Sequence, residues 1–314
     1  MAIIDLHCDT FSRLYEAGGS ANFKRNNFSV DVEKLQKAEV MAQFFAMFVH
    51  AKKHDDPQEQ ALRLIDLFYR ELEANADAVV VARSWQEAEQ ISAAGKIAAF
   101  LTLEEGGVLA GDIGNLDKFY DLGVRLITLT WNFPNAIAFP HGHNGTHGLT
   151  AFGCELVEAM YARGVIVDVS HLSDAGFDDV ASISRSLKKP FLASHSNARA
   201  LTPHTRNLTD DMIRTIAECG GVTGLNFADI FLCTPPRSKV EDIIRHIKHL
   251  HKVGGIEVIA LGSDFDGIEP NHEIENMGQI YKLVAALGAA GFSAAETEKI
   301  CWQNAARVMA EILK

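Results

Sequence analysis

The chain has 314 residues, with 41 acidic against 29 basic side chains and a formal charge of −12. Hydrophobic residues make up 47% and the mean hydropathy is +0.02, which argues for a folded globular protein and against a disordered chain. The acidic balance argues against nucleic acid as a partner, because phosphate-backbone binders carry a basic face.

Apolar runs recur along the chain, at 2–7, 40–49, 97–104, 125–131, 165–171, 190–196, 221–227 and 258–265. Each is short enough to be a buried strand. Amphipathic stretches separate them, and those at 57–76, 151–164, 238–255 and 293–313 read as helices. Gly164 suits the position just past a helix end. Ser293 with Glu296 makes a capping-box pattern. Eight strands each followed by a helix predict an α/β fold, a (β/α)8 barrel of TIM type, as a single catalytic domain over 1–314. A doubly wound open sheet has the same local pattern, so the polar residues must separate the two.

Cys8, Cys154, Cys219, Cys233 and Cys301 are an odd set without a CxxC pair, which predicts no disulfide framework and a reducing compartment. The opening MAIIDLHCDT lacks the basic and long apolar regions of a signal peptide. No run approaches the 18 apolar residues of a membrane span. The expected setting is cytoplasmic, with no membrane partner.

Ionisable residues gather where the predicted strands end. The first run ends in His7-Cys8-Asp9 and the third in Glu104-Glu105. The fifth ends in Asp168-Val169-Ser170-His171, the sixth in His195-Ser196-Asn197 and the eighth in Asp264-Phe265-Asp266. In a barrel these ends share one rim, whereas an open sheet would spread them along a line, so the barrel is the better reading. Alternation puts His7 and Asp9 on one face and turns Cys8 away to pack as a small hydrophobe. His171 and His195 end consecutive strands, and three imidazoles with carboxylates suit zinc. Glu104 has two oxygens and can bridge two ions. Lys96, the nearest basic residue, sits at the opposite rim and cannot do so as a carbamate. Asp264 and Asp266 would share a face if the strand continues, one serving as acid/base and the other holding a turn.

Read together, DLHCDT at 5–10, KIAAFLTLEEGG at 96–107, LGVRLITLT at 122–130, VDVSHLS at 167–173, ASHSNAR at 193–199, RNLTDD at 206–211 and GSDFDG at 262–267 resemble the membrane (renal) dipeptidase family of dinuclear zinc dipeptidases. The resemblance covers nearly the whole chain. It implies a (β/α)8 barrel holding two Zn²⁺ ions, with His7 and Asp9 on one and His171 and His195 on the other. It implies a bridging glutamate, for which spacing favours Glu104 with Glu105 the adjacent alternative. Asp264 matches the acid/base aspartate, and Arg206 matches the arginine that binds the substrate's terminal carboxylate. Trp131 stands where mammalian members have a histidine that contacts the substrate near the scissile group. The indole can donate but cannot accept a hydrogen bond.

The expected function is a zinc-dependent dipeptidase in which a metal-bridging hydroxide attacks the peptide carbonyl. Its substrates would be dipeptides with an L-residue first and an L- or D-residue second. A barrel metallohydrolase or deaminase on another small molecule is the alternative, and a catalytically weakened metal-binding homologue is a third. The family often forms homodimers, which makes a homodimer possible here. Other features read as structural. One of His141, His143 and His147 could fold over the site, although a solvated loop is the simpler reading of all three. His246, His249 and His251 suit a solvated helix face. Gly106-Gly107 suits a turn, and Phe44, Phe45 and Phe48 suit barrel packing.

Overall fold

The computed structural model describes residues 1–143, 146–233 and 237–313. Its strands are β1 (Ile3–Cys8), β2 (Val40–Phe48), β3 (Val79–Val81), β4 (Ile97–Glu104), β5 (Val124–Thr128), β6 (Ile166–Asp168), β7 (Leu192–Ala193), β8 (Val222–Leu225) and β9 (Ile259–Leu261). All their pairings are parallel, in the order β2-β1-β9-β8-β7-β6-β5-β4-β3. A further pairing of β2 with β4 closes eight of these strands into a ring. The fold is therefore the (β/α)8 barrel expected from the strand–helix alternation.

β3 is a strand that the apolar runs did not single out. It pairs with Ile97–Ala99 of β4, while β5 pairs with Leu101–Glu104. Because β2 occupies the other edge of β4 throughout, β3 and β5 share one edge, and β3 fills its amino-terminal part. Three valines are too short a run to show a period, which is why the sequence hid the strand. The helix Trp85–Ala93 that follows it was also not foreseen.

The other helices form where their signals lie. Pro57–Ala74 starts with Pro57 in its first turn, behind Asp56, which caps the Glu59 amide. Ala151–Arg163 stops at Gly164, whose φ of 75° belongs to the left-handed region that ends helices. Ser293 and Glu296 exchange the expected capping-box bonds. The last helix, however, runs as Ala294–Glu298 and Asn304–Ile312 around a wider π-turn at Lys299–Gln303.

Two apolar layers result. Ile4, Leu6, Ala42, Phe44, Ala98, Phe100, Leu126, Ile166, Leu192, Val222 and Ala260 fill the barrel interior, with Val308, Met309 and Ile312 of the last helix packed against the same cluster. Phe11, Phe23, Phe45, Phe68, Leu101, Phe119 and Phe177 belong to the layer between barrel and helices. One irregularity matters for the site. From Asp5 to Cys8, β1 advances three residues while β2 advances two, from Gln43 to Phe45. The extra residue is a bulge, and it resets which face each side chain takes. Ile4 and Leu6 point inward, yet Cys8 packs in the outer layer. The bulge thus turns His7, not Cys8, toward the barrel axis.

Candidate metal centre

Six ionisable side chains meet at the carboxyl rim of the barrel. β1 supplies His7 within the strand and Asp9 just beyond it, and β4 ends on Glu104. His171 follows β6, His195 follows β7 and Asp264 follows β9. All six residues are buried, the Asp264 side chain least so at 13% exposed.

Glu104 divides the cluster. Its Oε2 lies 3.2 Å from His7 Nε2, which lies 3.3 Å from Asp9 Oδ2. Its Oε1 lies 3.0 Å from His171 Nε2 and 3.6 Å from His195 Nε2, and these two nitrogens stand 3.1 Å apart. His7 Nε2 is also 3.7 Å from Asp264 Oδ1. Two ligands of a tetrahedral ion with bonds of 2.0–2.1 Å stand about 3.3 Å apart, so these spacings are those of ligand shells. The sets His7–Asp9–Glu104 and Glu104–His171–His195 could each hold an ion, with one Glu104 oxygen in each.

The polar atoms fit such ions. His7 Nε2 and Asp9 Oδ1 are buried without a hydrogen-bond partner. An unsatisfied buried group costs about 1–3 kcal/mol, and a cation bound by His7 Nε2 and the Asp9 carboxylate would offset that cost. Burial acts to lower the His7 pKa, but the Glu104 and Asp9 carboxylates outweigh it and hold it well above the usual value. Burial, reinforced by Glu104, raises Asp9 to about 8. Burial acts to raise Glu104, but His7 and His171 hold it below the usual carboxylate range. Burial and the Arg206 cation push His171 down to about 3, and burial and His7 push His195 well down. His171 and His195 are therefore neutral, which is the form that ligates metals.

Their outer nitrogens are held. His171 Nδ1 faces Asn132 Oδ1 at 3.0 Å. His195 Nδ1 faces Ser194 Oγ at 2.6 Å, and that hydroxyl donates to Asp168 Oδ2 at 2.6 Å. Asp168 also accepts from Thr128 Oγ1 and from the Ser170 and Ser194 amides. Partners of this kind fix the ring tautomer so that Nε2 keeps its lone pair. Above the cluster opens a cleft of about 390 Å³, with Asp9, Glu104, His171 and Asp264 at its base and Phe48, Trp131, Ile230, Phe231 and Ile268 among its walls.

All of residues 1–314 match the membrane dipeptidase family, peptidase family M19. The chain belongs to that family, a family of metallo-dipeptidases. It is 29% identical to the dipeptidase tcpJ of Claviceps purpurea over 297 residues, 90% of this chain and 69% of that protein. A crystal structure of a dipeptidase of family M19 superposes with a TM-score of 0.93 at 28% identity, covering 100% of this chain and 99% of that one. A metallopeptidase from Rhodobacter sphaeroides, crystallised with a phosphinate mimic of the dipeptide L-Ala-D-Ala, superposes with a TM-score of 0.91 at 27% identity over 99% of both chains. Among the described residues no helix is long and apolar enough to cross a membrane.

In this M19 chain the remaining candidates fall as follows. Glu105 turns away from Glu104 with a φ of 83°. Its carboxylate accepts from the amides of Gly107 and Trp131 and from Asn135, so it anchors the loop after β5. Trp131 lies in that loop and does face the cleft, edge-on to Phe48 and beside His50 and Phe133. Lys96 precedes β4, at the amino rim as expected. Asp264 and Asp266 do not share a strand face, because β9 stops at Leu261 and both take positive φ, 62° and 70°. Asp266 holds the turn, accepting from Thr10 Oγ1 and the Ser29 and Val30 amides. Asp264 Oδ2 accepts from Asn226 Nδ2 at 2.7 Å, and burial, opposed by His7 and reinforced by Glu104, raises it to about 6.

Arg206 lies one layer behind the cleft. Its guanidinium is 5.8 Å from the Phe231 ring, and His171 lines both the cleft and the small cavity that Arg206 borders. Nη1 donates to Ser196 Oγ, while Nε and Nη2 are buried without partners. Burial lowers its pKa to about 10, so it stays a cation at neutral pH.

Two readings of histidines need correction. His246 is fully buried, not on a solvated face: its Nδ1 accepts from the Ala198 amide and its Nε2 lies 3.0 Å from the Leu232 carbonyl. The helix Val240–Gly254 packs its inner face, and the flanking Lys and Arg residues that suggested solvent lie on the other. His141 is not merely solvated, since it bonds both Asn132 and Thr205. Asn132, Ser194 and Asp168 were not foreseen as partners of the His171 and His195 imidazoles. Only the places of Asn132 and Ser194 beside Trp131 and His195, and of Asp168 at the end of β6 three residues before His171, hinted at a role.

Proposed function

We propose that this chain hydrolyses dipeptides with two Zn²⁺ ions, held by His7, Asp9 and Glu104 and by Glu104, His171 and His195. The observation that carries this reading is the division of Glu104, one carboxylate oxygen toward His7 and the other toward His171 and His195. A donor set of imidazole nitrogens and carboxylate oxygens suits zinc. Such ions supply Lewis acidity toward a carbonyl oxygen and lower the pKa of water beside them.

The chain's own groups supply the rest. Asp264 lies at the cleft base beside His7, with a carboxyl near 6 that can take a proton from water and deliver it to the leaving amine. Asn226 holds the other oxygen of that carboxylate and so fixes its direction. Arg206 offers two unpaired donors in a planar fork, the geometry that a free carboxylate accepts. Arg206 lies one layer behind the cleft, so a terminal carboxylate must reach past the cleft floor to meet these donors, and such binding would limit the substrate to two residues. Trp131, Phe48 and Ile268 wall the cleft in which the substrate would lie. The phosphinate mimic of L-Ala-D-Ala in the Rhodobacter sphaeroides relative supports an L-residue first and a D-residue accepted second. The five unpaired cysteines suit a reducing, cytoplasmic setting.

Metal analysis and turnover on one purified sample test this. The expected result is about two zinc per chain, with hydrolysis of L-Ala-D-Ala and L,L-dipeptides and none of tripeptides. Two ions without dipeptide turnover would move the substrate elsewhere. A sample never exposed to chelator that carries no stoichiometric metal would overturn the reading.

A further inference from the structure

His141 lies outside every ligand set, yet four side chains in series run through it. His171 Nδ1 and His141 Nε2 both lie 3.0 Å from Asn132 Oδ1, and His141 Nδ1 lies 2.9 Å from Thr205 Oγ1. Main-chain bonds run the same way: the His141 amide donates to the His171 carbonyl at 2.7 Å, and Thr130 Oγ1 reaches that carbonyl at 3.3 Å. His171 needs these ties, because its φ of 68° puts a non-glycine residue in the left-handed region. Thr205 is the neighbour of Arg206 in the chain.

Only one proton arrangement leaves His171 Nε2 free to face Glu104. His171 Nδ1–H then donates to Asn132 Oδ1, and that oxygen also accepts from His141 Nε2–H. His141 Nδ1 is left as an acceptor, filled by the Thr205 hydroxyl. In the reverse arrangement the Asn132 amide nitrogen would donate to both rings. That would put the His171 proton on Nε2, where it blocks a ligand's lone pair. We infer that His141 is a positioning residue: through Asn132 it holds His171 in the ligating tautomer, and through Thr205 it ties that ligand to the loop bearing Arg206. The inference rests on the proposed metal centre and adds to it a residue that touches neither ion.

The test compares wild type, His141→Ala and His141→Gln, reading each ion's affinity by competition with a chromogenic chelator alongside kcat and KM for L-Ala-D-Ala. Gln can donate to Asn132 and accept from Thr205, so it is the conservative replacement. In H141A the affinity for one of the two zinc ions should fall about 10- to 100-fold while the other holds, and H141Q should restore most of the loss. Thr205→Val provides a second route should H141A fold poorly. It removes only the hydroxyl that assigns the His141 tautomer, and should weaken the same ion with a rise in KM. Wild-type affinities in H141A and T205V, or H141Q as weak as H141A, would overturn the inference while the metal centre stands. A wild type that binds no ion at His171 would overturn both.

Discussion

Asp264 is the residue whose role can be isolated most cleanly. It sits at the cleft base with one oxygen held by Asn226 and the other 3.7 Å from His7 Nε2. Asparagine keeps the shape and can still accept the Asn226 bond, but it cannot take a proton. Asp264→Asn should therefore retain the proposed metal ions, leave KM near its value and cut kcat about 10²- to 10⁴-fold. Loss of metal in that variant would make Asp264 a ligand, and unchanged kcat would remove it from catalysis. His7, Glu104, His171, His195 and Asp264 were legible because each ends an apolar run, where a charged group has no packing reason to be. Asn132 and Ser194 were not, because an amide or hydroxyl in a loop carries no such contradiction, and neither was His141, because a histidine in a polar loop reads equally well as solvated. Their importance appears only when the fold brings them to an imidazole.

Among the elements, the strands were read well and their ends less so. β6, β7 and β9 stop before the residues that matter, so His171, His195 and Asp264 stand on turns, two of them at positive φ. In β1 the alternation argument puts His7 and Asp9 on one face, and they do stand 3.3 Å apart, but it does not give the reason they face inward. That depends on the bulge between Asp5 and Cys8, a feature of pairing with β2 that no single strand reveals. The helix Val240–Gly254 makes the same point through His246, which bonds Ala198 and Leu232 from a fully buried position. Burial pushes its pKa down to about 4, against an ordinary value near 6.5. The unfolded chain therefore binds the proton first as pH falls. The stability held by neutral His246 is complete above about pH 6.5 and is lost progressively toward pH 4, on the order of 3 kcal/mol in all. Urea unfolding of wild type and His246→Gln at pH 7.5 and pH 4.5 measures it. The wild type should lose more stability between the two pH values than the variant, and equal losses would show that His246 titrates normally.

At the scale of the whole molecule, closure of the ring by β2 and β4 is what sets β1 and β4 on either side of β2 and gathers them with β9, β7 and β6 around one axis. The same closure buries the carboxylates of Asp9, Glu104 and Asp264 within a few ångströms of one another, an arrangement costly to the metal-free fold. The barrel should then depend on the proposed ions for stability as well as for chemistry. An ion that binds only the folded state at about 1,000 times its Kd adds about 4 kcal/mol. Chelation should therefore lower the Tm by several degrees. Asp9→Asn separates the two effects, since it removes one buried acid along with one ligand. Its metal-free form should melt no lower than metal-free wild type, and higher if acid–acid repulsion dominates, while zinc should raise its Tm by less than it raises that of wild type. Calorimetry of both proteins with zinc and with chelator reads all four values. A metal-free Asp9→Asn that melts well below metal-free wild type, yet gains as much from zinc, would mean that Asp9 supports the barrel by packing and not by holding an ion.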